Sequence, residues 1–273
     1  MATKKAASKK TTTTRKSAPT KTTRTSVKTA PARVANQGFA MKVQESLKSA
    51  SFWRAMAAEF VGTFLFAGVI VAGQGQPIFV LFGLAGIVLL VGAVSGAHVN
   101  PAITIGALVT RRIGWLRALG YILFQLAGAA VAYFALTAFL GGAAAANPAT
   151  GQSAPALFKA ADIALLNGKE WFVFFSELIG TAILGFAIAN TLREKTDRVA
   201  AALTAGLGIF VALMFAVSTA SYVGATGIIN PAVAVSLQAY ANPWAYAIYA
   251  LAPVIGAVFG FVVYDLIRGR SSN

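Results

Sequence analysis

The chain has 273 residues, 57% of them hydrophobic and 11% charged, and a net charge of +15 at pH 7. Soluble domains carry about a quarter charged residues, so this composition, with a mean hydropathy of +0.70, points to a membrane protein. Cysteine is absent and His98 is the only histidine, which excludes disulfides, thiol chemistry and any multi-histidine metal site.

The basic charge is concentrated at the start of the chain. Residues 1–54 hold 13 of the 23 Lys and Arg against one acid, Glu45. Residues 1–33 are rich in Lys, Thr, Ala, Ser and Pro and have almost no large apolar residue. The segment reads as a disordered cytoplasmic tail over 1–38, because it cannot bury enough surface to offset its ordering entropy. Such a composition also suits nucleic acid, but contact with anionic lipid headgroups is the reading preferred. The stretch "GFAMKVQESLKS" reads as a short amphipathic helix on the membrane surface, within 39–52.

A membrane-spanning helix needs about 20 apolar residues. Six stretches qualify, near 53–73, 77–95, 114–141, 171–192, 200–222 and 244–267, and Trp53, Trp115, Trp171 and Trp244 fall near their ends. Two further apolar pieces, after Asn100 and Asn230, are too short to span. Six spans put 21 of the basic residues on one side and leave Lys159 and Lys169 on the other. The excess of positive charge makes that side, with both termini, cytoplasmic; 268–273 is the cytoplasmic C-terminus.

The chain also repeats itself. "AAEFVGTFLFAG" (57–68) matches "FSELIGTAILGF" (175–186), pairing Glu59 with Glu177, Gly62 with Gly180 and Thr63 with Thr181. "YILFQLAGAAVA" (121–132) is echoed more loosely by "YALAPVIGAVFG" (249–260). Each copy opens a three-span unit, 53–141 and 171–267, and each unit holds one Asn-Pro-Ala followed by an apolar run. Three is odd, so the two units must lie in the membrane with opposite orientations. Inverted repeats of this kind place a shared site near the midplane, at broken helices.

Asn is a good N-cap, and Pro suits the first helical position. Asn100-Pro101-Ala102 and Asn230-Pro231-Ala232 therefore each start a helix of about ten residues, roughly 15 Å long and half the hydrocarbon thickness. Two such half-helices of opposite sense would meet end to end, with non-helical backbone leading into each. Backbone of that kind is tolerated at membrane depth only if buried or lining a wet cavity. A third copy, Asn147-Pro148-Ala149, has no helix-length apolar run after it and reads as turn chemistry.

These features resemble the aquaporin and aquaglyceroporin family, the major intrinsic proteins. "SGAHVNPAIT" (95–104) is a near-verbatim family motif, and "AEFVGTF", "SELIGT", Tyr121/Gln125/Gly128 and "PVIGA" (253–257) are further marks. The resemblance covers about residues 53–267. It implies an all-α membrane protein with six transmembrane helices and two re-entrant half-helices in an inverted repeat. It also implies one pore per protomer, a homotetramer, no cofactor, and Glu59 and Glu177 bracing the half-helix loops. His98 reads as a hydrogen-bonded residue holding the first loop rather than as a protonation gate.

One departure matters. Val233 follows the second Asn-Pro-Ala, where the family usually has the arginine of its selectivity filter. Counting along the family pattern puts Gly227 and Ser218 at two further filter positions, or Thr219 if the loop is shifted by one residue. Counting back from Asn100 gives Val80 for the last position; the "FGL" of 82–84 gives Phe82, the choice preferred. Such a filter has no fixed cation. The expected function is a passive channel for water and small neutral solutes such as glycerol, with relaxed selectivity. The alternatives are a strict water channel, an ion-coupled secondary transporter on the same scaffold, and a tether acting through the tail. An enzyme is excluded, because no nucleophile–base pair or metal cluster can be assembled.

Overall fold

In the computed structural model, residues 38–141, 149, 156–193 and 197–269 are described. The readings made for the basic tail, for Asn147-Pro148 and for the last four residues lie outside these. The helices are α1 (Phe39–Lys48), α2 (Ala50–Ala72), α3 (Pro77–Ser95), α4 (Pro101–Val109) and α5 (Trp115–Gly141). After a 3-10 turn, Ile163–Leu166, come α6 (Glu170–Arg193), α7 (Arg198–Ser221) and α8 (Pro231–Ser236). The last span begins with α9 (Pro243–Tyr246) and runs through a π-helical turn, Ala247–Leu251, into α10 (Ala252–Arg268).

Six of these segments are long and apolar enough to cross a membrane, among the described residues. Their starts follow local chemistry. Proline opens α3, α4, α8 and α9, and the side chains of Asp197 and Asn242 cap α7 and α9. The π-helical turn lies just before Pro253, which has no N–H to give to the Tyr249 carbonyl. The Tyr240 hydroxyl donates to that carbonyl instead, at 3.1 Å.

The half-helices differ in length. Helix α4 has nine residues, but α8 has six rather than the ten expected, because the chain turns at Leu237. Both stop in the same way. Arg111 and Gln238 adopt positive φ, and the next residue's N–H reaches back: Arg112 to Ala107 O at 2.8 Å, Ala239 to Ala234 O at 2.9 Å. This is a Schellman closure made without glycine.

The two repeats interlock. Helix α4 of the first packs mainly on α10 of the second, while α8 of the second packs on α5 and α2 of the first. At the far end of α4, the Arg112 guanidinium donates twice to Asp265 of α10, at 2.7 and 3.1 Å, and lies over the Phe261 ring.

Close backbone crossings carry the same pseudo-symmetry. A Cβ on Gly128 would strike the Phe60 carbonyl, and one on Gly256 the Leu178 carbonyl. These carbonyls directly follow Glu59 and Glu177, so the glycines let the helices that carry the two carboxyl groups approach their neighbours. Gly256→Ala is expected to cost about 1–3 kcal/mol and lower the thermal midpoint in detergent. Gly86→Ala, where a Cβ meets nothing within 4 Å, is the control expected to leave the midpoint unchanged.

Candidate functional site

The backbone before each Asn-Pro-Ala is held in a conformation its residues resist. Val99 and Ile229, both β-branched, have φ of 41° and 51°. Each such residue costs about 1–3 kcal/mol and persists only when its surroundings over-determine it. Here they do so through a buried carboxyl group. Glu59 accepts from His98 N at 3.0 Å and Val99 N at 2.8 Å. Glu177 accepts from Ile228 N at 2.5 Å and Ile229 N at 2.7 Å. Both glutamates are fully buried.

Further groups complete each brace. Gln125 donates to Glu59 at 2.7 Å and to the Thr104 hydroxyl at 3.0 Å. The His98 ring meets Thr104 at 3.2 Å and packs edge-on against Tyr121. Tyr121 and Tyr249, paired by the repeat, donate to the carbonyls of Ser95, at the end of α3, and of Thr226, at 2.7 and 2.9 Å. In the second repeat Pro253 stands where Gln125 does in the first, so Glu177 has no matching amide donor on α10.

These braces bring the two asparagines together. Asn100 Oδ1 accepts from Ala102 N at 2.8 Å, and Asn230 Oδ1 from Ala232 N and Val233 N at 3.0 and 3.3 Å. Each side chain thus caps its own half-helix. Its amide then crosses to the other repeat: Asn100 Nδ2 donates to Ile229 O and Asn230 Nδ2 to Val99 O, both at 3.0 Å. The strained residues therefore turn their carbonyls toward the opposite asparagine. Pro101, Ala102, Pro231 and Ala232 are buried around this junction.

Beyond the junction lies a narrow cavity of about 20 Å³, room for roughly one water molecule. Val80, Leu213, Gly227, Val233, Phe66 and Phe158 are among the residues that line it. Of the six residues assigned to the filter from the sequence, Val80, Gly227 and Val233 meet here. The other three do not line it. Phe82 is 66% exposed while Val80 is 1% exposed, because residues two apart on a helix face opposite ways. Ser218 is exposed, and the half-buried Thr219 spends its hydroxyl on Phe215 O and Ala216 O of its own helix.

Leu213 takes the α7 place in the lining. Leu213 lies five residues further back than the twelve-residue count reaches, about two turns before α7 ends at Ser221. The helical spacing of Ala205, Ile209 and Leu213, all buried, was the signal for this face. Gly227 is needed for close approach, since a Cβ there would fall 2.7 Å from the α7 backbone. Among the described residues no three His, Cys, Asp or Glu gather as metal ligands would.

Comparison with known proteins agrees with this geometry. The model of the major intrinsic protein family matches residues 46–264. Human aquaporin-1 is 33% identical over 252 residues, which cover 83% of this chain and 86% of the human protein. Glycerol uptake facilitator protein-like 6 of Lactiplantibacillus plantarum is 33% identical over 215 residues, covering 75% of this chain and 94% of its own. Among solved structures, the X-ray structure of the aquaglyceroporin from Plasmodium falciparum matches with a TM-score of 0.61 and 20% identity, over 80% of this chain and 97% of that one.

Proposed function

The chain belongs to the major intrinsic protein family, multi-pass membrane channels rather than enzymes, and we propose that it is a passive channel for water and small neutral solutes such as glycerol, with relaxed selectivity. The observation that carries this reading is the buried exchange of hydrogen bonds between Asn100 and Asn230 at the meeting point of two half-helices. An amide NH2 has two hydrogens. One crosses to the opposite carbonyl, and the other remains to donate to a passing hydroxyl or water oxygen. The positive ends of α4 and α8 converge on the same point and oppose cations.

The relaxed filter rests on Val80, Leu213, Gly227 and Val233. No Lys or Arg occurs between Arg198 and Arg268, so no cation of that segment faces the outer cavity. A wall of aliphatic side chains suits the carbon backbone of a polyol better than a file of waters. An ion-coupled transporter would need a free carboxylate at the broken helices, and both oxygens of Glu59 and of Glu177 are engaged by loop N–H groups.

We further infer that both termini are cytoplasmic, from the distribution of basic residues, that the channel assembles as a homotetramer, and that the basic tail meets anionic lipid. The test of the channel reading is flux into proteoliposomes holding the full chain. Glycerol and water are both expected to enter faster than into empty vesicles, linearly with concentration and with low activation energy. Fast water entry with glycerol at the empty-vesicle rate would instead make it a strict water channel.

A further inference from the structure

We propose that Phe158, from the connection between α5 and α6, is a specificity-determining residue of the outer constriction, supplying a second aromatic wall beside Phe66 of α2. The proposal rests on the channel reading above. Val80, Leu213, Gly227 and Val233 are all aliphatic or without a side chain, and of the spans only α2 brings an aromatic ring, Phe66, to the cavity. Phe158 lines that same cavity, although it belongs to neither a span nor a half-helix.

The ring is held from three directions. The chain after it is tied to the second re-entrant segment on both sides of α8: Ala160 N donates to Leu237 O at 3.0 Å, and Ala161 N to the Thr226 hydroxyl at 2.9 Å. The ring itself lies on Gly75, the turn between α2 and α3. A Cβ there would fall 2.5 and 2.7 Å from its edge atoms, and Gly75 has a φ of 67° that favours glycine. Leu157 and Ala160 pack with it against the main core. Phe158 is therefore a fixed wall, anchored to the element that carries Asn230 and Val233.

An aromatic ring is wide and rigid, so it sets a size limit. It offers a polyol an apolar face and offers water no hydrogen bond. Removing it widens the cavity toward the turn that carries Gly75.

The test uses proteoliposomes of the full chain, with water, glycerol and a four-carbon polyol as probes. Phe158→Ala is expected to raise glycerol permeability about tenfold relative to water, and to admit the four-carbon polyol, which wild type is expected to exclude. Phe158→Trp is expected to lower glycerol permeability below wild type while water still passes. Thr226→Val keeps the shape of the side chain but removes one tether, and is expected to shift selectivity as alanine does, by less. Should Phe158→Ala fail to fold, the tryptophan and Thr226 variants decide the matter. An unchanged glycerol-to-water ratio in variants that still conduct water overturns the role of Phe158 and leaves the channel reading standing. A wild-type chain that passes neither solute overturns both.

Discussion

Glu177→Ala is expected to abolish flux and to remove most of the correctly folded protein. The carboxyl group accepts from the N–H groups of Ile228 and Ile229, and both residues are buried. Each orphaned donor costs about 1–3 kcal/mol. The positive φ of Ile229, worth about 1–3 kcal/mol of strain, then loses the bond that holds it. Relaxation of Ile229 would swing its carbonyl away from Asn100, whose amide donates to it. The combined loss is a large share of a marginal stability.

Glu59→Ala has a comparable expectation, with one difference. Gln125 donates to Glu59 and also to Thr104, so the first loop keeps part of its network, whereas Glu177 is braced without such an amide. The second brace should therefore be the more sensitive. Monodispersity in detergent, thermal midpoint and water permeability measure the effect. A Glu177→Ala protein with wild-type flux would refute the bracing role.

Val233→Arg is expected to close the channel rather than to tighten it. Val233 is 1% exposed and faces a cavity of about 20 Å³. A guanidinium on three methylenes is far bulkier than the isopropyl group it replaces, so it would fill much of the path. Leu213 and Phe158 offer it no acceptor, so its charge would be driven along the cavity toward the outer mouth, with its stem filling the path. Water and glycerol permeability should both fall to near the empty-vesicle rate while the protein remains monodisperse. Pairing the change with Phe158→Ala should recover part of the water flux, since the two side chains share one cavity. Undiminished flux in Val233→Arg would place the conduction path elsewhere.

The bounds of the six spans were legible to within about three residues, because twenty apolar residues in a row leave few alternatives. The Asn-Pro-Ala caps were legible for a local reason: an N-cap side chain bonds to a backbone group two or three residues away. The pairing of Glu59 with Glu177 was legible through the repeat. Leu213 and Phe158 were not. Finding Leu213 required the rotation of α7 and its position relative to α8, and Phe158 required knowing where a loop folds back. Phe82 was preferred over Val80 because a short motif outweighed a count, and the face each presents is set by the register of α3 against α7 and α2.

By itself the sequence determined the number of spans, their inverted arrangement and the starting points of the half-helices, since hydropathy and capping act over a few residues. Only the tertiary structure decided that Asn100 and Asn230 bond to each other's loops and which side chains wall the cavity. Those outcomes depend on the distance and rotation between segments more than a hundred residues apart. Packing of whole helices sets them, and no local pattern encodes them.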